Sequence, residues 1–402
     1  MAVYFNRQAN AYGLGANIWY HGLRLLRRKD VSLKEIIGFR HHQTSVAAVG
    51  GNSAGELLEP TADEILYFMD VVLTHGNGPQ VGRLLARHPE KTLNECVRMT
   101  QEGTGLSVED LNECVGEALK AKLTAKLAAR GKKDVQVIIV PTEVIVSADD
   151  PAFASPTKPI GDFYSWEELE AIGSIEERGP GLYFLPNKGQ DGWYVKKIIG
   201  AKDSARPFRR VVASPKPVEI RREHLEQIVM ETEKGNIVIA CGGGGVPMVK
   251  QTDGSLKPVE AVIDKDLASA LLAINIKARE LIISTGVRRV VHNYGTPQAM
   301  EFDYYMVGSA LQALREGYFP AGSMGEKVEA IINVLRRGVN CGMITQPNNL
   351  WIKFDGTLFT RGWDVMGRLF NAGRILGNMV EKVTGWRPEF LPKNELQRWL
   401  VK

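Results

Sequence analysis

The chain has 402 residues and a mass of 44.4 kDa, which is long enough to bury a full hydrophobic core. Hydrophobic residues make up 44% and charged residues 24%, so intrinsic disorder and collagen-like structure are excluded. The net charge of +4 is too small to indicate nucleic acid as a partner, and no apolar stretch approaches the ~20 residues of a membrane span.

Cysteine usage and the first residues bear on the compartment in which the protein works. Four scattered cysteines without C-x-x-C spacing, Cys96, Cys114, Cys241 and Cys341, favour free buried thiols in a reducing compartment. Residues 1–29 contain basic residues and no acid. We interpret them as an uncleaved arm that packs on a partner subunit, with an organellar transit peptide as the alternative. A cytoplasmic location is expected, and a mitochondrial or related organelle is the alternative.

The first half of the chain alternates short apolar runs, glycine loops and helical patterns. Strands are predicted over 44–49, 71–73 and 135–140, and helices over 62–69 and 112–130. Strands that alternate with helices are typical of a parallel sheet covered by helices on both faces. We therefore expect an α/β fold.

Residues 149–217 interrupt this alternation. They are rich in Pro and Gly and carry aromatic residues such as Trp166, Tyr183 and Trp193, so we interpret them as an inserted lid and not as a linker. The alternation then resumes. Helices are predicted over 221–234, 266–274 and 324–337, strands over 236–241 and 280–284, and a helical tail from residue 361.

Three glycine-rich loops follow predicted strands, at 50–52, 76–78 and 242–245. Backbone N–H groups in such loops and at helix N-termini bind anions. Three of them at the carboxyl ends of strands indicate a phosphate or nucleotide site. The sequence has no P-loop motif and no G-x-G-x-x-G after its first strand, which argues against a P-loop NTPase and a Rossmann dehydrogenase.

Four lysines have neighbours that restrict or polarise their surroundings. They are Lys158 in P-T-K-P, Lys216 in P-K-P, Lys265 in D-K-D, and Lys327 after Gly325. Positive charge around a migrating phosphoryl group is what phosphoryl transfer requires of a protein. Asp264 and Asp266 beside Lys265 would orient that lysine, hold a metal or cap a helix. The histidines lack zinc-ligand spacing, so no resident metal is predicted.

Together these motifs resemble those of the carbamate kinases, a branch of the amino acid kinase fold. The matching stretches occur in the family's order over roughly residues 45–358. They are Gly50-Gly51-Asn52, T-H-G-N-G-P-Q-V-G at 74–82, D-P-A-F at 150–153, P-T-K-P-I-G at 156–161, R-R-V-V at 209–212, S-P-K-P at 214–217, the glycine run 242–245, V-E-A-V-I-D-K-D-L-A at 259–268 and A-G-S-M-G at 321–325.

The resemblance implies a three-layer αβα sandwich with a mainly parallel central sheet, and a homodimer. It implies the reversible reaction ATP + carbamate ⇌ ADP + carbamoyl phosphate, with Mg²⁺. The domain scheme that follows has an arm over 1–44, a kinase domain over 45–360 and a helical tail over 361–402. The kinase domain contains the inserted lid 149–217 and a nucleotide-binding half over about 218–360. Arm and tail are rich in apolar and aromatic residues, so we expect both to dock on another protein chain.

The resemblance also assigns roles to individual residues. The group expected to cradle the transferring phosphoryl group is Gly50, Gly51 and Asn52, and the group expected to hold the carbamate end is Gly76, Asn77 and Gly78. The lysines expected to neutralise phosphates are Lys158, Lys216, Lys265 and Lys327, positioned by Asp264. The residues expected to face the nucleotide are Gly242, Gly243, Gly244, Gly245 and Met324.

Four positions depart from the family's pattern: Ser53, Glu102, Leu106 and Gly286. Ser53 follows the loop over 50–52 and replaces the family's alanine. Glu102 and Leu106 lie in a stretch assigned to the carbamate side, where Glu102 adds a negative charge and Leu106 replaces a tyrosine. Gly286 replaces the aspartate of a T-D-V loop near the nucleotide. These changes leave two alternatives open. One is a subunit with little or no activity that serves a structural role in a larger assembly, and the other is a kinase of a different small acid.

Overall fold

The computed structural model describes residues 44–50, 70–103, 107, 110, 113–187, 190–198, 203–319, 324–347 and 356–361. The described residues from 44 to 359 belong to one compact unit. Apart from their boundary residues, the arm over 1–44 and the tail over 361–402 lie outside the described residues, as does the helix predicted over 62–69. The division into domains therefore stays a prediction.

The described elements alternate along the chain. The helices are α1 (Gly78–Arg87), α2 (Leu93–Glu102), α3 (Val115–Ala129), α4 (Trp166–Ile172), α5 (Arg222–Glu233), α6 (Lys265–Asn275), α7 (Val307–Arg315) and α8 (Met324–Arg336). The strands are β1 (Ser45–Val49), β2 (Val71–His75), β3 (Val137–Val140), β4 (Glu143–Val146), β5 (Lys158–Tyr164), β6 (Glu176–Gly179), β7 (Leu182–Asn187), β8 (Gln190–Lys197), β9 (Phe208–Val212), β10 (Pro217–Ile220), β11 (Ile237–Ala240), β12 (Val246–Lys250), β13 (Leu256–Pro258), β14 (Glu280–Ser284), β15 (Val290–His292), β16 (Met300–Phe302), β17 (Tyr304–Met306), β18 (Cys341–Thr345) and β19 (Gly356–Thr360).

In the part of the chain that the structure describes, the central sheet has eight strands in the order β17-β19-β18-β14-β1-β2-β11-β3. The pairings from β18 across to β3 are parallel. All residues of β1, β2 and β14 are buried, as expected for parallel strands covered on both faces. The mainly parallel sheet expected from the sequence is therefore confirmed.

Two hydrophobic clusters cover the two faces of this sheet. Neighbouring strand residues point to opposite faces, so Val72 belongs to one cluster and Leu73 to the other. The first cluster includes Leu272 of α6 and Val328 of α8, and the second includes Leu123 of α3. Helices therefore lie on both faces of the sheet, and the three-layer αβα fold is confirmed.

The segment expected to be a lid contains a second sheet, of five antiparallel strands in the order β5-β9-β8-β7-β6. Its own small core includes Leu169, Leu185 and Val195. The Trp166 ring of α4 makes edge and tilted contacts with the rings of Tyr183 and Phe208 at centroid distances of 5.2 and 5.4 Å. The aromatic residues noted in the sequence therefore pack inside this sheet, and its action as a lid stays a prediction.

Two further expectations concern cysteines and membrane spans. All four cysteines are free and buried, as the sequence predicts. No helix among the described residues is both long enough and apolar enough to cross a membrane.

Candidate active site

The carboxyl ends of β1, β2 and β11 are adjacent in the central sheet, so the loops that follow them meet at one edge. Gly50 follows β1, Gly76 follows β2 and Gly242 lies just beyond β11. The backbone N–H of Gly76 donates to the carbonyl of Val49, 3.1 Å away, which ties the first two loops together. Gly51 and Asn52 lie outside the described residues.

The glycine run 242–245 lies directly against neighbouring segments. A Cβ atom at Gly242 would lie 2.6 Å from Nε2 of His75, and one at Gly243 would lie 1.9 Å from Nδ2 of Asn77. A Cβ atom at Gly244 would lie 2.3 Å from the carbonyl oxygen of Ile263. Gly243 and Gly244 also have φ angles of 65° and 96°, which favour glycine. The run therefore lies between the loop after β2 and the segment that leads into α6.

Two amides line this contact. The Nδ2 atom of Asn77 donates to Oγ1 of Thr100 at 2.6 Å, and the Oε1 atom of Gln101 accepts from the backbone N–H of Thr142 at 3.1 Å. The opposite ends of both amides, Oδ1 of Asn77 and Nε2 of Gln101, are buried and have no hydrogen-bond partner among the described residues. Sequence reasoning did not single out Gln101 as a site residue. The arrangement leaves one acceptor and one donor available to a small polar ligand.

Asp264 caps α6 and also binds a distant lysine. Its Oδ1 atom accepts from the backbone N–H groups of Asp266 at 2.8 Å and Leu267 at 3.3 Å, while Oδ2 forms an ion pair with Nζ of Lys158. Burial opposes the charge of Asp264, but the neighbouring ammonium groups outweigh burial and hold the pKa of this carboxyl well below its usual range. The carboxyl is therefore ionised at neutral pH.

Asp266 binds two lysines from two different helices. Its Oδ1 atom lies 2.5 Å from Nζ of Lys265, and its Oδ2 atom lies 2.9 Å from Nζ of Lys327 in α8. Burial lowers the pKa of Lys265, which Asp266 opposes. Burial also opposes the charge of Lys327, but there Asp266 outweighs it and raises the pKa. Lys158, Lys265 and Lys327 thus gather around two carboxylates, of which Asp266 is buried and Asp264 partly buried.

Lys216 is placed differently from the other three lysines. Its backbone N–H donates to Oδ2 of Asp150 at 2.9 Å, and its Nζ atom donates to Glu329 of α8 at 2.7 Å. The side chain is 68% exposed. Lys216 therefore lies at a solvent-exposed position beside α8, the helix that begins at Met324 and carries Lys327.

A close backbone contact fixes the strand that carries Lys158. A Cβ atom at Gly82 of α1 would lie 2.1 Å from Cα of Gly161, three residues beyond Lys158 in β5. At the start of α1, a Cβ atom at Gly78 would lie 3.5 Å from the carbonyl oxygen of Pro159. The helix that follows the second glycine loop therefore packs directly on the strand that presents Lys158.

The extra carboxylate at Glu102 has a counterion. Glu102 forms an ion pair with Arg98 at 3.1 Å, one helical turn earlier in α2, and Arg98 also pairs with Glu143 at 3.3 Å. Its negative charge is therefore balanced within α2. The backbone at Gly286 has open space, because a Cβ atom there would meet no atom of the described residues within 4 Å. Ser53 and Leu106 lie outside the described residues.

The imidazole of His75 lies against the glycine run. Burial lowers its pKa to about 4, with Lys265 acting in the same direction, so the imidazole is neutral at pH 7. The positive charge at this sheet edge therefore comes from the lysines. Backbone N–H groups and fixed ammonium groups are the means by which proteins stabilise a migrating phosphoryl group.

The sequence model of the amino acid kinase family matches residues 43–345. The chain belongs to the amino acid kinase family. Its relatives within that family include carbamate kinases and a carbamate kinase-like protein. The carbamate kinase-like protein YahI of Escherichia coli K12 is 35% identical over 330 residues, covering 76% of this chain and 94% of the relative. A carbamate kinase of Staphylococcus haemolyticus is 35% identical over 338 residues, covering 78% and 97%.

Solved structures give the same grouping. The carbamate kinase of Giardia lamblia bound to citric acid has 27% identity and a TM-score of 0.64, covering 79% of this chain and 98% of that one. The same Giardia enzyme bound to AMP-PNP gives a TM-score of 0.61 at the same identity and coverage. These relatives support a phosphotransferase of the carbamate kinase type.

Proposed function

We propose that this protein is an active carbamate kinase, which transfers a phosphoryl group reversibly between ATP and carbamate to give ADP and carbamoyl phosphate. The observation that carries the proposal is the convergence of Lys158, Lys265 and Lys327 on Asp264 and Asp266 beside the glycine run. A cluster of three ammonium groups and two carboxylates keeps one net positive charge for a bound phosphate. Such preorganised charge is the main source of rate in phosphoryl transfer.

The glycine loops would supply the backbone donors. In this proposal the loop over 50–52 cradles the transferring phosphoryl group, and the loop over 76–78 holds the carbamate end. The glycine run 242–245 and Met324 face the nucleotide. Lys216 would act from the exposed side of α8 and neutralise nucleotide phosphate after releasing Glu329.

The hydrogen-bonding groups of carbamate are complementary to the two buried amide atoms that have no partner among the described residues. Carbamate carries both N–H donors and carboxylate acceptors, and the site offers the Oδ1 atom of Asn77 and the Nε2 atom of Gln101. An acid without an amino group would leave the Asn77 oxygen unpaired, at a cost of about 1–3 kcal/mol. The balanced charge of Glu102 also removes one reason for expecting a different small acid.

Mg²⁺ would enter with the nucleotide as part of the substrate. Among the described residues no group of three His, Cys, Asp or Glu side chains is arranged to hold a metal. The carboxylate oxygens of Asp264 and Asp266 bind lysines or backbone N–H groups. Mg²⁺ that is held mainly by phosphate oxygens and water fits this donor set.

The homodimer, the cytoplasmic location and the docking of the two termini stay predictions. The same holds for the alternative of a weakly active subunit with a structural role in a larger assembly.

Steady-state turnover with matched acceptors tests the proposal. ADP release from ATP is measured with carbamate, and with acetate and glutamate as acids of other chemistry. We expect release with carbamate and the reverse formation of ATP from ADP and carbamoyl phosphate. Equal release with the other acids would indicate a kinase of another substrate. Nucleotide binding without any turnover would favour the assembly role.

A further inference from the structure

The small core of the five-stranded sheet lies on one of its two faces. Val195 of β8 and Phe208 of β9 belong to that core. The next residue on each strand, Lys196 and Arg209, points to the opposite face, because side chains alternate along a strand. Lys196 and Arg209 are direct cross-strand neighbours. Two cationic side chains therefore lie side by side on the face away from the core.

Neither of these side chains has a carboxylate partner among the described residues. There, the ammonium group of Lys196 forms no hydrogen bond or ion pair. Arg209 donates from Nη2 to the carbonyl of Gly161 at 2.5 Å, but its Nε atom is buried and has no partner. Asp162 favours the charge of Arg209, yet its carboxylate lies 3.5 Å from Nη1 of Arg83. The two cations are thus left without a counterion of their own.

Such a pair is unfavourable in an antiparallel sheet. Directly opposite residues have Cβ atoms about 4.5–5.5 Å apart, and like charges at this separation destabilise the pairing. Burial adds to the cost, because it lowers the pKa of Arg209 and so opposes its charge. An oxyanion between the two side chains would remove the repulsion and supply hydrogen-bond acceptors.

The guanidinium group of Arg209 is held in place for such a ligand. Phe163 of β5 is its cross-strand neighbour on the other side, and the ring centroid lies 5.1 Å from the guanidinium carbon. The ring and the carbonyl of Gly161 together restrict the planar group. A guanidinium has five N–H donors, of which Gly161 uses one. A fixed planar fork beside the point charge of Lys196 suits the oxygens of a phosphate.

We propose that Lys196 and Arg209 form an anion site that binds a free phosphate dianion on this face of the five-stranded sheet. The site is separate from the lysine cluster of the proposed kinase reaction. Lys158 is the cross-strand neighbour of Val212, which lies three residues beyond Arg209 and therefore on the other face. The R-R-V-V stretch at 209–212, which has no role in the proposed reaction, thereby gains one through its first arginine.

The experiment compares full-length wild type with Lys196→Gln, Lys196→Glu and Lys197→Gln. Lys197→Gln is the matched control: it removes the same charge from the next residue, which is exposed and lies opposite Phe208 on the other face. Inorganic phosphate is the probe, and chloride keeps the ionic strength equal in all buffers. Phosphate held by the lysine cluster contributes equally in all four proteins, so differences between them report on the proposed site.

Equilibrium dialysis against ³²P-labelled phosphate measures binding. We expect Lys196→Gln to weaken binding at this site by about 10–100-fold, the effect of losing one hydrogen bond to a charged group. Lys196→Glu should abolish it, because its carboxylate takes the place of the anion. Lys197→Gln should bind phosphate within about threefold of wild type, because exposed charges interact weakly with a ligand on the opposite face.

Urea unfolding gives a second, opposite sign. Without phosphate, Lys196→Gln should unfold at a higher urea concentration than wild type, because the substitution removes the repulsion with Arg209. Lys196→Glu should unfold at a higher concentration still, because it pairs with Arg209. Added phosphate should raise the midpoint of wild type and Lys197→Gln more than that of either Lys196 variant, because a ligand that binds the folded state stabilises it.

Three results would overturn the proposal. One is equal phosphate binding in wild type and Lys196→Gln. Another is an equal loss in Lys196→Gln and Lys197→Gln, which would indicate general attraction to a positive surface. The third is a Lys196→Glu variant no more stable than Lys196→Gln in the absence of phosphate, which would mean that position 196 does not face Arg209. None of these measurements uses turnover, so the failure of the proposed kinase activity would leave the test intact.

Discussion

Burial decides which residues beside the glycine loops carry charge. His75 lies against Gly242 and stays neutral at pH 7, because burial lowers its pKa to about 4. Asp264 stays ionised because its lysine neighbours outweigh burial. A fixed anion between ammonium groups, with a neutral ring beside it, suits a site that binds phosphate.

Because His75 is neutral in the folded protein, we expect the protein to lose stability in acid. The unfolded histidine binds a proton near pH 6.5, whereas the folded one does so only near pH 4, so stability falls as the pH drops through this window. From pH 6.5 to 5 the loss due to His75 should be about 1.5 kcal/mol in the free energy of unfolding. Urea unfolding at both pH values should show a smaller loss in His75→Gln.

His224→Gln is the control for this effect. His224 also has a lowered pKa, but it is only partly buried, and its Nδ1 atom accepts a hydrogen bond from the backbone N–H of Glu143. It should change the pH dependence less than His75→Gln. Identical acid sensitivity in wild type and His75→Gln would show that His75 is not held neutral by the fold.

A further prediction concerns Gly286, which the family resemblance places near the nucleotide. The resemblance to carbamate kinases places an aspartate at this position, and the open space around Gly286 accommodates a side chain. A hydrogen bond to a charged group contributes about 1.5–3 kcal/mol, so Gly286→Asp should tighten ADP binding by roughly 10–100-fold. Titration calorimetry measures the affinity for ADP. Gly179→Asp is the control, because a side chain at Gly179 also has open space. Equal affinities in all three proteins would mean that this loop does not contact the nucleotide.

At the scale of elements, the site depends on how α1 meets β5. The Gly82–Gly161 contact brings the two backbones together, and Gly161 has a φ of 68° at an irregularity in the β5 pairing. The carbonyl of Gly161 also accepts a hydrogen bond from Nη2 of Arg209, at 2.5 Å. The position of Lys158 therefore depends on two glycines that carry no chemistry.

Gly82→Ala should disturb this arrangement. Its Cβ would lie 2.1 Å from Gly161, so helix and strand must separate and Lys158 must move. A displacement of about 1 Å at a reacting group costs about 10²-fold in rate, and we expect that loss in kcat. Kinetic assays should show a normal rate for Gly308→Ala, a helical glycine whose added Cβ meets open space. A normal rate in Gly82→Ala would contradict the role of the contact.

The sequence predicts the buried parallel strands and several helices well. The bounds of β14 match the prediction over 280–284, and α6 differs from its prediction over 266–274 by one residue at each end. Such elements are continuous apolar runs or amphipathic helices whose pattern reflects local burial. The glycine loops can also be recognised in the sequence, because each follows a predicted strand. The four lysines can be recognised because prolines, aspartates or a glycine lie next to them.

Other parts of the fold and the site were missed for physical reasons. Helix α1 begins at Gly78, the last residue of the predicted glycine loop over 76–78, and Pro79 follows in its first turn, a position that proline favours. Helix α2 has a capping box between Thr92 and Glu95 that was also passed over. The bond between Asp266 and Lys327 joins residues far apart in the chain, and no spacing rule reveals such a contact.

In the molecule as a whole, glycine loops and lysines from distant parts of the chain lie near the carboxyl ends of the central parallel strands. The glycine loops come from adjacent parallel strands, Lys158 from the antiparallel sheet, and Lys265 and Lys327 from two helices. The net charge of +4 is small, so the positive charge relevant to phosphate binding is local. We propose that this local arrangement transfers phosphoryl groups.

Phosphoryl transfer can be followed by ³¹P NMR of the protein with ADP, Mg²⁺ and carbamoyl phosphate, for wild type, Lys158→Ala and Lys158→Arg. In wild type the carbamoyl phosphate signal should decay as the γ-phosphate signal of ATP grows. Lys158→Ala should slow this by about 10²–10³ with little change in ADP affinity, and Lys158→Arg should restore it only in part. A wild type that forms no ATP would contradict phosphoryl transfer by this site, and a Lys158→Ala variant as fast as wild type would contradict the role of Lys158.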